Sequence, residues 1–208
     1  MAISTYSELK TAVANWLDRD DLADRIPEFI ALAEARMNRV LRLRMMESKY
    51  TASTIASQRN YALPTSYIQM RNFQLNTSPL TSLSYVSPEI YDRLWGGSQG
   101  GTPLFYTIIA NELQLGPIPG SVITMEMLFY KKISALSASN TTELMLTDNP
   151  DVYLYGALLE AEPFIMNDER IGVWAQGFEK AIVDLQEQDN KDRHSGSALR
   201  VMNTGGYM

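Results

Sequence analysis

The chain contains no cysteine and a single histidine. The first absence excludes a disulfide framework, a thiolate metal site and a cysteine nucleophile. The second leaves a zinc site without its usual ligands. No apolar run approaches the roughly 18–20 residues that a membrane-crossing helix needs. The start, MAISTYSELK, lacks the basic stretch and apolar block of a secretion signal. Together these point to a protein made in a cytoplasm, so the Asn-X-Ser/Thr matches at Asn76 and Asn140 carry no weight. No G-x-x-x-x-G-K-[ST] loop is present to cradle phosphates.

At 208 residues the chain is long enough for one domain or two small ones sharing a core. Its net charge of −6 is unevenly spread: residues 25–49 carry six basic and three acidic groups, whereas residues 150–190 carry two and nine. An acidic chain is a poor candidate for gripping nucleic acid over its general surface, because phosphate contacts supply most such affinity. A basic block and an acidic block can instead attract each other, within one subunit or between neighbours.

Thr5-Tyr6-Ser7-Glu8 is a capping box, and Tyr6, Leu9, Val13, Trp16 and Leu17 then share one helical face. The acidic run Asp18–Asp21 lacks the sixth-position glycine and closing glutamate of a calcium loop and reads as solvated caps. A second helix is predicted from Asp24 or Ile26, with Pro27 in its first turn, to about Met46. Ile26, Phe29, Ile30, Ala33, Met37, Val40 and Leu41 form its apolar stripe. Leu32, Leu43 and Met46 lie on a second flank with Arg36 and Arg39. Such a helix suits either the centre of a bundle or a contact with a neighbouring subunit, which would involve Leu32, Arg36, Arg39, Leu43 and Met46.

From Tyr50 to about Lys132 the period changes to two. Strands are predicted over Tyr50–Ala56, Ile68–Leu75, Leu80–Val86 and Val122–Lys132, with a hairpin turning at Ala110-Asn111. A short helix runs from Ser87-Pro88-Glu89 to Trp95. Helix returns at Asn149-Pro150-Asp151, which offers a cap, a first-turn proline and an acid at the positive pole. A last helix from near Asp168 places Ile171, Trp174, Phe178, Ala181, Ile182 and Leu185 on one face. The fold class is therefore α+β. A helical bundle is built from residues 1–48 and 149–190, a small antiparallel β domain is inserted over 49–148, and 191–208 form an extended C-terminal arm. That arm is rich in Gly and Ser around one apolar island, Leu199-Arg200-Val201-Met202.

Chemistry-bearing motifs are few. Gly96-Gly97-Ser98-Gln99-Gly100 fits G-x-S-x-G, but that motif needs a strand before the serine, a helix after it and a histidine base. Here a helix precedes, a proline-led strand follows, and His194 sits in the C-terminal segment. Glu160 and Glu162, two apart on a helix, point to different sides and make no ready carboxylate pair. Arg36, Arg39, Arg42 and Arg44 fan around their helix rather than forming a phosphate-binding stripe. No catalytic, metal or cofactor site is expected.

Several stretches, in this order and spacing, resemble the head-to-tail adaptor (connector) proteins of tailed bacteriophages. They are YSELKTAVANWLDRDDLADRIPEFIALAEARMNRVLR, FYTIIANELQLGP and FYKKISALSASNTTELMLTDNPDVYLYGALLEAEPF, followed by an acidic turn and a tryptophan-bearing helix. The similarity spans roughly residues 6–188. It implies a homo-oligomeric ring, usually of twelve copies, docked under the portal protein of a virion, with tail or nozzle proteins below. DNA would pass through the centre without specific binding, and no membrane is involved. In such rings C-terminal arms commonly reach the portal or a neighbour, which would make Leu199, Arg200, Val201 and Met202 the docking residues. Two rivals stand beside this reading: a virion-associated, carboxylate-based cell-wall hydrolase and a small DNA-binding module using the arginines of the second helix.

Overall fold

The computed structural model describes residues 3–19, 21–96, 100–166 and 169–194. In chain order, α1 (Tyr6–Leu17) and α2 (Ile26–Val40) precede a single 3-10 turn at Arg44–Met46. Next come β1 (Glu47–Ser53), β2 (Asn60–Ala62), β3 (Tyr67–Leu75), β4 (Thr81–Ser82), β5 (Ser84–Tyr85) and α3 (Pro88–Trp95). They are followed by β6 (Gly100–Gly101), β7 (Phe105–Ile109), β8 (Glu112–Gly116), β9 (Ile118–Pro119) and β10 (Thr124–Lys131). Helix then resumes as α4 (Leu144–Asp148), α5 (Pro150–Glu160), α6 (Glu162–Ile165) and α7 (Ile171–Arg193). The fold is α+β. Two compact units emerge: Met1–Met45 with Ile133–Met208, and Met46–Lys132.

In the helical unit, α1 begins at the capping box. The Glu8 amide donates to the Thr5 hydroxyl at 3.3 Å, and the Thr5 amide donates to the Glu8 carboxylate at 2.9 Å. Leu9, Val13 and Leu17 are buried, while Trp16 stands partly in solvent with its ring edge-on to Tyr155. In α2, Ile26, Phe29, Ile30, Ala33 and Met37 are buried as their spacing predicts. The helix stops at Val40, however, well short of the expected Met46. Leu41 is extended (φ −85°, ψ 141°), and the Arg42 guanidinium donates to the carbonyls of Asn38 and Leu41, satisfying acceptors at the helix end. Val40 is accordingly exposed, and Leu43 and Met46 leave the helical flank to be buried within the chain, 2% and 3% exposed.

The centre of the helical unit is α5, not α2. Its segment VYLYGALL is apolar on all sides, and it packs against α1, α2 and α7. Gly156 permits the closest approach, because a Cβ there would lie 3.1 Å from both the Ala33 methyl on α2 and the Phe178 ring on α7. Asn149 gives α5 no side-chain cap. It closes α4 instead, a short helix the sequence reading missed, and its amide nitrogen lies 3.8 Å from the Met145 sulfur. The last helix runs on through Arg193, so the first residues of the expected arm are helical. Leu199, Arg200, Val201 and Met202 lie outside the described residues.

Residues 133–148, expected with the β domain, belong to the helical unit. Asn38 and Glu34, one turn apart on α2, accept the amides of Ile133 (2.8 Å) and Leu136 (2.9 Å), and both apolar side chains are buried.

The β unit has two four-stranded sheets, ordered β1-β10-β3-β4 and β2-β8-β7-β5, and a minor pair β6-β9. Alternation along the strands sends Phe73 and Leu75 of β3, Leu113 and Leu115 of β8, and Met125, Met127 and Phe129 of β10 into one shared core. The predicted hairpin is β7–β8, with Ile109 opposite Glu112 and the turn at Ala110-Asn111. The expected strand over 80–86 divides into β4 and β5 around the buried Leu83. Helix α3 starts at Pro88 and is fastened where the buried Tyr91 hydroxyl donates to the Leu115 carbonyl at 2.7 Å.

Candidate functional site

On the helical unit, α2, α5 and α7 enclose an open groove of about 530 Å³. Arg36, Arg39 and Val40 form one wall, Leu159 the floor, and Phe178, Glu179, Ile182 and Val183 the other wall. The interior residues follow from helix periodicity: Phe178 and Ile182, one turn apart, bury inward, while Glu179 and Val183 fall on the exposed rim. Val40 and Val183 are each about half exposed, so the groove has apolar edges; Leu32, on the same face of α2, is half exposed as well. Among the described residues, Arg39 and Glu179 on opposite rims make no ion pair.

The remaining arginines of the basic block are engaged inside the unit. Arg36 pairs with Glu160 at 2.5 Å and its guanidinium lies 6.0 Å from the centre of the Phe178 ring. The Arg44 backbone amide donates to Asp189 at 2.9 Å, and its side chain reaches Asp189 (3.4 Å) and Asp192 (3.1 Å). Arg193 donates to the other oxygen of Asp189 at 2.7 Å. Burial opposes the charge on Asp189, but the Arg44 amide and the Arg193 guanidinium outweigh it and hold the carboxyl below the usual carboxylate range. The basic and acidic blocks visible in the sequence thus meet within one chain. With Arg36, Arg42 and Arg44 occupied, these arginines form no free stripe for phosphates.

A second feature was not anticipated. Glu34 is only 5% exposed. Burial raises its carboxyl, the Leu136 amide offsets part of the rise, and the nearby Glu143 charge adds to it, leaving a value of about 7. Tyr153 on α5 is fully buried, and its hydroxyl has no hydrogen-bond partner among the described residues. Burial drives that phenol upward, and Glu34 and Glu143 push the same way. The signal was present in the sequence: Glu34 is four residues after Ile30 and three before Met37, on the apolar stripe. Glu34 lends an oxygen to the Leu136 amide and so fastens the segment returning from the β unit; Glu160 is held in its pair with Arg36.

Among the residues expected at a subunit contact, Leu32, Arg36 and Arg39 share one face of α2, whereas Leu43 and Met46 are buried elsewhere. Gly97, Ser98 and Gln99 of the glycine-rich loop lie outside the described residues. Among the described residues, no group of three or more His, Asp or Glu side chains is placed to hold a metal ion, and no helix is long and apolar enough to cross a membrane.

Comparison with known proteins gives one family. The family model described as SU10 adaptor protein matches residues 4–202, nearly the whole chain. No curated protein matches at a significant level.

Proposed function

The chain belongs to the SU10 adaptor protein family, and on that premise we propose that it is a head-to-tail adaptor whose copies form a ring between portal and tail. Membership makes it a structural adaptor protein of a phage virion, in contact with other virion proteins. In the proposed ring, of twelve copies by the family resemblance, Leu32, Arg36 and Arg39 of α2 meet the neighbouring subunit. Leu199, Arg200, Val201 and Met202 form the arm that engages the portal or a neighbour. The β unit offers its outer surface to tail or nozzle proteins, and DNA passes through the central channel without specific binding.

The observation that carries this reading is the exposed face of α2. Leu32 and Val40 leave apolar surface exposed there, beside Arg39, which has no ionic partner among the described residues, and arginine is enriched at protein interfaces. The catalytic rival draws no support from Glu34, which is enclosed and engaged with the backbone.

Negative-stain microscopy of the purified protein, with and without portal, tests the proposal directly. Rings are expected at least in the presence of portal, and isolated monomers in both samples would overturn it. Removing residues 195–208 should abolish portal binding while leaving the circular-dichroism spectrum of the free chain unchanged. Normal assembly of the truncated chain on portals would remove the arm from the proposal.

A further inference from the structure

We propose that in the unassembled protein the island Leu199-Arg200-Val201-Met202 folds back into the groove between α2 and α7 of its own chain, with Arg200 meeting Glu179. This gives the arm a resting place before assembly; it rests on the adaptor reading only for the partner that later draws the arm away.

Three observations select this occupant. The groove is apolar inside, with Phe178 and Ile182 at its wall and Val40 and Val183 exposed at its edges. An uncovered apolar surface of this kind marks a docking site. An extended island places Leu199 and Val201 on one side and Arg200 on the other. Its two branched aliphatic side chains then enter the groove while the cation stays at the rim, where Glu179 has no ionic partner among the described residues.

The reach also fits. Val183 lies ten residues before Arg193, the end of α7, a distance of about 15 Å at 1.5 Å per helical residue. Extended chain covers roughly 3.3–3.6 Å per residue, so with residues 195–197 making the reversal, the four steps from Ser197 to Val201 return about that far and bring Val201 level with Val183. Ser195-Gly196-Ser197 follows the helix, and a Gly/Ser stretch gives the chain the freedom to reverse direction. A segment tethered this closely has an effective concentration in roughly the mM range. A weak contact is therefore enough to hold it.

The absence of cysteine makes the test clean. Val183→Cys combined with Val201→Cys introduces the only two thiols of the chain. Under mild oxidation of dilute, isolated protein, an intramolecular disulfide is expected. At about 10 µM chain, tethering should favour it over intermolecular dimers by on the order of 100-fold. The same experiment with exposed Thr11→Cys on α1 in place of Val183→Cys is the reference, and a cross-linked fraction no higher than this reference overturns the proposal. A predominantly intermolecular disulfide overturns it too, by assigning the groove to a second copy. Glu179→Lys should lower the cross-linked fraction by up to about fivefold, the reach of a surface ion pair, and adding Arg200→Glu should restore it. An unchanged fraction would remove the Arg200–Glu179 contact. Portal is absent throughout, so failure here is separable from failure of ring assembly.

Discussion

The two units bury polar groups in different ways. In the β unit several of the buried groups are hydroxyls: Thr54 donates to the Ser121 carbonyl at 2.9 Å and accepts the Ile123 amide at 2.8 Å, and Tyr91 donates to Leu115. Burial pushes the Tyr106 phenol up to about 12, so none of these groups changes charge near neutral pH. The helical unit instead encloses the Glu34 carboxyl and clamps the Asp189 carboxylate between arginines. Apolar burial holds both units together, but the carboxyl groups that folding shifts, Glu34 upward and Asp189 downward, lie in the helical one. Near neutral pH the β unit should behave as a pH-indifferent scaffold and the helical unit as an electrostatically adjustable one.

The largest effects should come from the shared term. Phe73 in the β core packs edge-on to Tyr106 at 5.2 Å, and Phe29 in the helical core lies 5.1 Å from Phe164. Both are almost completely buried. Phe73→Ala and Phe29→Ala should each cost about 3–5 kcal/mol in urea unfolding, from lost burial and the cavity left behind. Near-equal losses would confirm that packing does not distinguish the units. A loss below about 1 kcal/mol at either site would show that its core collapses around the gap.

Electrostatics should then separate them. Glu34 has an ordinary value of 4.5 and a folded value of about 7, so folding favours its protonated form. The fold carries no penalty from this group below 4.5. Stability falls as pH rises from 4.5 to about 7 and stays lower above it, by up to about 3 kcal/mol. Glu34→Gln keeps an oxygen for the Leu136 amide but cannot ionise. Its urea midpoint should match the wild type at pH 4.5 and exceed it at pH 8; an equal gap at both values would sink the assignment. Asp189 has the opposite sign. Its carboxyl is held below the ordinary value, so its contribution is present above the usual carboxylate range and lost as pH falls through the folded value. Asp189→Asn should destabilise by about 1–2 kcal/mol at pH 7, with the difference from wild type narrowing in acid.

The β unit was the more legible of the two in the sequence. Its hairpin, short helix and long last strand follow from alternation, from Asn at the turn and from Pro at a helix start, all of which act locally. The helical unit depends on contacts between residues far apart in the chain. Leu41 and Leu43 could continue a helical stripe or alternate along extended chain, and the Arg42 contacts with Asn38 and Leu41 accompany the second outcome. Asn149-Pro150 carries the composition of a helix start, which concealed that Asn149 also ends α4. The α2 face was legible through Leu32, Arg36 and Arg39, but the opposite wall of the groove comes from α7, over 130 residues later. Glu34 was overlooked because a glutamate between arginines resembles a solvated charge, although its position on the apolar stripe places it inward.

The smallest predicted effect lies in the β unit and involves no charge. Ala110 and Asn111 turn the β7–β8 hairpin at φ 50° and 62°, and two consecutive positive φ values in a two-residue loop belong to a type I′ turn. Asparagine tolerates this region, whereas for alanine the approach of Cβ to the carbonyl costs roughly 1–2 kcal/mol. Ala110→Gly removes that strain but gives the unfolded chain more freedom, which takes back part of the gain. A net stabilisation of about 0.5 kcal/mol is expected on that balance. Because no titrating group is involved, the shift in urea midpoint should be the same at pH 5 and pH 8. A gain that changed with pH would mean that the hairpin senses ionisation after all, and the contrast between a pH-indifferent β unit and an adjustable helical unit would fail at its simplest point.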